Sequence, residues 1–495
     1  MTELSLIAHA RSHGDSIAIR SAAGEFSYAD ALARSADVAT ALLDGDSDLK
    51  EARIACLVPA GFEYVAAQWG IWQAGGVFVP LSLSATEPEL EYTLTDSQAE
   101  CVLVSLELAA SIEPLCSRLG LRCLIIEDVA ESADPALPDV ASERRAMILY
   151  TSGTTSRPKG VVTTHSNIEA QITSLIEAWE WQAGDRIPLF LPMHHIHGII
   201  NILSCGLWSG ATVDAFPRFE MATILERVAA GVWSVFMAVP TVYVKLIQTI
   251  EDLPDDERQR VVDGFAGMRL MISGSAALPS SVHETWSAIT GQKLLERYGM
   301  TEIGMGLSNP YRSERRPGAV GQPLPGVEIR LKSESGEIVS AEGEPGEIQV
   351  RSPGVFSEYW NRPEVTESSF DDGWFRTGDV AVVEDGYYRI MGRQSVDIIK
   401  SGCYKLSALE IETALLDHPA IAECAVVGVA DETWGEVVSA AVVLRAGQSL
   451  DLESLNEWCR DRLSHYRIPR KLLVVDDLPR NAMGKVTKPA VRELF

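Results

Sequence analysis

Positive charge is in short supply: 42 Lys and Arg stand against 69 Asp and Glu in 495 residues, a formal net charge of −27. Proteins that coat nucleic acid, or hold a membrane through polybasic patches, need the opposite balance. No nucleic-acid partner and no membrane partner are therefore expected, although a local pocket can still bind one small anion. The eight cysteines include no Cys-x-x-Cys pair, so the spacing on which structural zinc and dithiol redox sites rest is missing. Free thiols in a reducing compartment fit better. The N-terminal MTELSLIAHARSHGDSIAIR has no charged stretch followed by a continuous apolar one, so it does not read as a secretory signal and a cytoplasmic location is expected. Internal repeats, low-complexity blocks and coiled-coil heptads are also lacking.

What is present is an ordinary globular composition, 46% hydrophobic and 22% charged, at a length that implies more than one domain. Residues 187–213 carry no Asp, Glu, Lys or Arg and would be long enough to span a bilayer. Three histidines, Pro192, Gly198 and Asn201 interrupt that run, and each is costly or helix-weakening in hydrocarbon. It reads as a buried segment bordering a site.

From RIACLVPA to ECVLVS, and again from ILYTSG to RLMISG, short β-branched runs alternate with helical stretches. That rhythm predicts α/β architecture with largely parallel sheets, here as two stacked α/β subdomains. Between about Gly318 and Gly392, closely spaced strands and Gly/Pro turns predict a small antiparallel β subdomain. After Arg393 the pattern changes once more, and a separate α+β domain is expected. The boundaries so read are 1–394 for a large N-terminal domain and 395–495 for a small, mobile C-terminal one.

The most specific chemical signal is Thr151–Gly160, TSGTTSRPKG, directly after the apolar Met147–Tyr150. Glycines and small hydroxyl residues let backbone N–H groups approach phosphate oxygens, and Lys159 adds charge. The segment grips phosphate, but it is no Walker A loop, since Pro158 and Gly160 occupy positions that need Gly and Ser or Thr.

Further motifs follow in order: Leu191–Gly198 (LPMHHIHG), Ser273–Leu278 (SGSAAL), Tyr298–Glu302 (YGMTE), Tyr359–Asn361 (YWN), Trp374–Asp379 (WFRTGD), Gly392-Arg393 and Pro479–Lys485 (PRNAMGK). In this ordered set the chain resembles the adenylate-forming enzymes, which include acyl-CoA synthetases, luciferases and adenylation domains. The resemblance implies ATP and CoA as co-substrates, Mg²⁺ as cofactor, and an acyl-adenylate intermediate. It assigns ATP binding to Thr151, Ser152, Gly153, Thr154, Thr155, Lys159, Ser275, Ala276, Ala277, Glu296, Tyr298, Gly299, Met300, Thr301, Asp379, Arg393 and Lys485. Glu302, with the Thr151 hydroxyl nearby, is the implied Mg²⁺ ligand, and Lys485, Glu302 and Arg393 are the catalytic assignments. Lys485 would bridge substrate carboxylate and α-phosphate, a role suited to a flexible point charge. Gln394-Ser395 marks a joint about which the C-terminal domain turns. Ser401, Gly402, Cys403, Tyr404 and Lys405 match the loop that receives CoA, with Cys403 where relatives usually carry Gly. An enzyme nucleophile is required by neither half-reaction, which disfavours a catalytic role for Cys403.

The acid is expected among His195, His197, Lys245, Ser275, Arg297 and Met305. A buried guanidinium is costly unless paired, and bidentate carboxylate recognition is its natural use. The alternative is an internal ion pair of Arg297 with Glu296, Glu302 or another acid. The stretches HHIHGIINILSCGLWSGATV, VFMAVPTVYVKL and LLERYGMTEIGMGLSNPY are similar to malonyl-CoA synthetases of the mitochondrial-type acyl-CoA synthetase branch, which implies malonate, or methylmalonate, as substrate. Another short or medium acid, or a carrier protein as acyl acceptor, are the competing expectations. A non-catalytic nucleotide sensor would be expected to lose Lys159, Glu302, Asp379 or Lys485, and all four are present. The implied partners are small molecules, with no obligatory protein partner.

Overall fold

The computed structural model describes residues 3–132, 136–151, 157–401, 404–480 and 486–495, apart from the side chain of Lys405. Strands Val77–Pro80, Arg53–Leu57, Cys101–Val104 and Arg122–Ile125 run parallel, as the alternation with helices Phe62–Gln73, Glu87–Asp96 and Leu106–Leu119 requires. Strand Arg145–Thr151 joins them in parallel beside Val77–Pro80. The sheet then turns antiparallel through Lys159–Thr164 and Glu358–Tyr359, completing seven strands.

A second α/β unit contains two sheets. Leu270–Ser273 lies parallel to Val235–Ala238 and to Leu295–Met300, and Gly304–Ser308 folds back antiparallel on the last of these. Arg186–Leu189, Thr212–Ala215 and Ile17–Ser21 form a parallel ladder edged by antiparallel Gly24–Ser27. The parallel cores agree with the sequence pattern; the antiparallel edges are additions to it. Helix His165–Trp179 leans on this unit. Its start is fixed by Thr164 and Asn167, which satisfy each other's backbone N–H groups in a capping box. Trp69, Trp72, Trp179 and Trp286 are among the largest fully buried side chains, packed in one continuous core.

The uncharged run resolves into strand Arg186–Leu189, a π-helical segment His197–Ser204, helix Cys205–Ser209 and strand Thr212–Ala215. Every residue of the π-helical segment is buried. Among the described residues no helix is long and apolar enough to cross a membrane.

A six-stranded antiparallel sheet follows, from Glu328–Lys332 to Tyr387–Arg393. The C-terminal domain has its own five-stranded sheet, led by the long hairpin Ile421–Asp431/Gly435–Leu444, and its own apolar clusters. It meets the preceding sheet through Glu410, ion-paired to Arg389 and, at 2.9 Å, to Arg467, and through the Ser407 hydroxyl, which donates to the Met391 carbonyl at 2.5 Å.

Candidate active site

Three neighbouring elements bring together Arg297, Ser275 and His197, all expected to bind the acid. Strand Leu295–Met300 carries Arg297, the end of strand Leu270–Ser273 leads into Gly274-Ser275, and the π-helical segment begins with His197. Arg297 is 4% exposed. Its guanidinium lies where a Gly274 side chain would be, since a Cβ there would come within 2.5 Å of Arg297 Cζ. Gly274 is thus required for close approach rather than for backbone freedom. Arg297 Nη2 donates to Ser275 Oγ at 3.4 Å, and Ser275 Oγ and His197 Nδ1 share a hydrogen bond at 3.2 Å. An arginine can only donate, so the Ser275 oxygen accepts from it; the hydroxyl keeps its own proton and a second lone pair, and its bond to His197 Nδ1 is compatible with either tautomer of the imidazole. Burial, followed by the charges of Arg297 and His195, keeps the imidazole neutral by pushing its pKa well below the ordinary value. Ser275 itself is held at φ +70°, an uncommon conformation for a residue with a side chain.

Two nitrogens in this trio, Arg297 Nε and His197 Nε2, are buried and have no hydrogen-bond partner among the described residues. Among the described residues no acid lies within salt-bridge distance of Arg297, and desolvation lowers its pKa to about 10. The alternative of an internal ion pair with Glu296 or Glu302 is not what the structure contains. Glu296 accepts from the Gly318 N–H at 2.9 Å, and Glu302 accepts from the Tyr359 hydroxyl at 2.8 Å. Met305 is buried on the adjoining strand. The His194 and His195 rings lie 4.2 Å apart, and Lys245 is exposed on helix Pro240–Asp252.

Glu296 is 6% exposed, and burial pushes its carboxyl up to about 8 from an ordinary 4.5, with the Gly318 hydrogen bond acting in the opposite direction. Folding therefore takes up a proton between those values, so the stabilising contribution is complete below 4.5 and is lost as pH rises through 8. Glu296→Gln, which keeps the acceptor and cannot ionise, is expected to gain about 2–4 °C in Tm over the parent protein between pH 6 and pH 9. A difference in Tm that stays flat across that range would contradict the assignment.

Two of the residues expected to bind nucleotide, Tyr298 and Arg393, meet at a third, Asp379. Tyr298 donates its hydroxyl to Asp379 Oδ2 at 2.6 Å, and Arg393 Nε donates to Asp379 Oδ1 at 3.1 Å. Thr151 and Lys159 pair across the neck of the hairpin that carries the segment expected to grip phosphate. Ser152, Gly153, Thr154 and Thr155 lie outside the described residues. Lys159 Nζ sits 4.2 Å from the centre of the Tyr359 ring, the same tyrosine that donates to Glu302. Tyr359 therefore ties the phosphate hairpin to Glu302, a link that its place in the YWN motif did not foretell. Ser275, Ala276 and Ala277 are exposed in the loop before helix Ser280–Thr290, and Gly299, Met300 and Thr301 lead into the turn that presents Glu302. Among the described residues no group of three or more His, Cys, Asp or Glu side chains is arranged to hold a metal ion. A hard cation that takes its remaining oxygens from phosphates and water does not need such a group.

On the C-terminal domain Ser401 is buried between Tyr404 and Gly435 in the sheet, and Tyr404 stacks on Tyr466 with ring centres 4.2 Å apart. Gly402, Cys403, the side chain of Lys405 and Lys485 lie outside the described residues.

Two family models cover the chain: AMP-binding enzyme over residues 6–360, and AMP-binding enzyme C-terminal domain over residues 410–485. The chain belongs to the AMP-binding enzyme family. Within that family it is 44% identical to the mitochondrial malonate–CoA ligase ACSF3 of Bos taurus, over 97% of this chain and 89% of the relative. It is 41% identical to the malonate–CoA ligase of Arabidopsis thaliana, over 91% of this chain and 79% of the relative. Among solved family structures, ATP-bound MatB from Rhodopseudomonas palustris matches with a TM-score of 0.89 at 34% identity, covering 100% of this chain and 99% of that one.

Proposed function

We propose that the chain is an AMP-forming malonate–CoA ligase. The observation that carries this is the buried guanidinium of Arg297, which has an unpartnered Nε–H and no acid within salt-bridge distance among the described residues, with the unpartnered His197 Nε2 in the same cluster. A buried donor of that kind is costly unless a ligand satisfies it, and a carboxylate accepts from the guanidinium and also from His197 in its Nε2–H tautomer. A monocarboxylate must present its only carboxylate to ATP and would leave these donors empty. A short dicarboxylate has a second one to offer. The malonate–CoA ligases to which the chain is similar support the same substrate.

In this reading one carboxylate of malonate is held by Arg297 and His197, and the other attacks the α-phosphorus of ATP. A new O–P bond forms as the bond to pyrophosphate breaks. Asp379, steadied by Tyr298 and Arg393, takes the ribose hydroxyls, the Thr151–Lys159 hairpin takes the outer phosphates, and Lys485 bridges the two reacting anions. Glu302 and the Thr151 hydroxyl offer hard oxygen donors fit for Mg²⁺, and no cation pairs with Glu302 among the described residues. When bound, that ion offsets the negative charge of the leaving pyrophosphate. The CoA sulfur then attacks the acyl carbon and AMP leaves. We place the joint for this change of partner at Gln394-Ser395, with residues 395–495 turning so that the segment from Ser401 to Lys405 replaces Lys485 at the acyl group.

Mixing the protein with MgATP, malonate and CoA should yield malonyl-CoA, AMP and pyrophosphate in equal amounts. Malonyl transfer only to a phosphopantetheinyl carrier protein, and not to CoA, would overturn the acceptor assignment.

A further inference from the structure

Lys488 is a buried cation with no part in the chemistry above. It opens the short helix Lys488–Arg492 with its side chain 11% exposed, and its ammonium is 2.5 Å from Asp397 Oδ1 and 2.7 Å from Glu412 Oε1. Both carboxylates are nearly as buried as the lysine. Each also accepts a backbone N–H: Asp397 Oδ2 from Arg393 at 2.9 Å, and Glu412 Oε1 from Val426 at 2.7 Å. The triad thus fastens the C-terminal helix and helix Ala408–Leu416 to the segment just after Arg393.

That segment is a tight turn. The Asp397 N–H donates to the Arg393 carbonyl at 2.8 Å while the Asp397 carboxylate accepts from the Arg393 N–H, so the side chain and backbone of one residue grip both backbone groups of the other. Gly392, at φ +123°, permits the approach; a Cβ there would lie 2.4 Å from Asp397 Cβ. Arg393 in turn places its guanidinium against Asp379. A continuous polar chain therefore runs from Lys488 through Asp397 and Arg393 to the proposed ribose-binding carboxylate.

We infer that Lys488 is a positioning residue for the nucleotide site, acting through Asp397 on the 393–397 turn and so on Arg393 and Asp379. The inference rests on the ATP-dependent reading above. With Lys488 removed, two buried carboxylates share a site with no counter-charge, and they relax by moving apart or taking up a proton. Either response loosens the grip on Arg393.

The test compares ATP affinity by calorimetry, and the KM for ATP and malonate in malonate-dependent pyrophosphate exchange, for the full chain and for Lys488→Met, Lys488→Arg and Asp397→Asn. Lys488→Met is expected to weaken ATP binding and raise its KM about tenfold, with malonate KM within about twofold of the parent, in line with the loss of one charge-assisted contact. Lys488→Arg should recover most of the loss, and Asp397→Asn, which keeps the shape, should reproduce it should Lys488→Met fail to fold. A merely structural lysine would lower the active fraction, hence kcat, and leave ATP affinity unmoved. ATP binding as tight in Lys488→Met and Asp397→Asn as in the parent would overturn the inference, as would failure of arginine to restore it. A parent protein that binds ATP but ignores malonate would overturn the substrate reading alone.

Discussion

Arg297→Leu is expected to lose malonate as a substrate while becoming more stable without it. The two effects have one cause. In the free protein the Arg297 guanidinium is buried with no acid partner among the described residues and one unsatisfied N–H, so replacing it with an apolar side chain removes a desolvation cost and should raise stability by about 1–3 kcal/mol. In the malonate complex the same group meets a carboxylate, and truncating one member of such a pair costs about 3 kcal/mol, a factor of about 10² in kcat/KM. Thermal melts should therefore show Arg297→Leu melting above the parent without ligand, and no longer gaining from malonate as the parent does. Unchanged malonate kinetics in the variant would remove Arg297 from the acid pocket. A lower Tm in the ligand-free variant would mean that the guanidinium has a structural partner after all.

Lys485→Ala should lose the first half-reaction and keep most of the second. The attack of one anion on another needs a positive charge between them at the moment of bond formation, and the removal of one such stabilising group costs about 10²–10³ in rate. Transfer of malonyl from supplied malonyl-adenylate to CoA makes no use of that charge. Single-turnover measurement of the two steps is expected to show adenylation slowed by that factor, with thioester formation within about fivefold of the parent. Equal loss in both steps would show that Lys485 serves overall architecture instead.

How much of this was written in the sequence depended on the range of the interaction. The parallel strands Arg53–Leu57, Val77–Pro80 and Cys101–Val104 were legible because buried parallel strands are continuous apolar runs separated by helices. Gly304–Ser308, GMGLS, has no strand character of its own; it is held as a strand by pairing with Leu295–Met300 and is buried throughout. Glu302 and Asp379 could be singled out because they fall within ordered motifs, and Arg297 because it immediately precedes one of them. Their partners could not. Glu296 was one of the acids named in the alternative of an internal ion pair with Arg297, but successive residues of a strand point to opposite faces. Glu296 consequently finds Gly318, and Arg297 finds Ser275. Tyr359 and Glu302, or Lys488 and Asp397, are brought together only by the fold, and nothing local in either segment announces the pairing.

Acid-dependent exchange of labelled pyrophosphate into ATP, in the absence of CoA, isolates the step in which the acid is chosen. Across a panel of acetate, octanoate, benzoate, succinate, methylmalonate and malonate, the unpaired Arg297 guanidinium, with His197 in the same cluster, predicts the fastest exchange with malonate, methylmalonate next, and little with any monocarboxylate. Octanoate or benzoate exchanging faster than malonate would contradict the assignment of this chain as a malonate–CoA ligase.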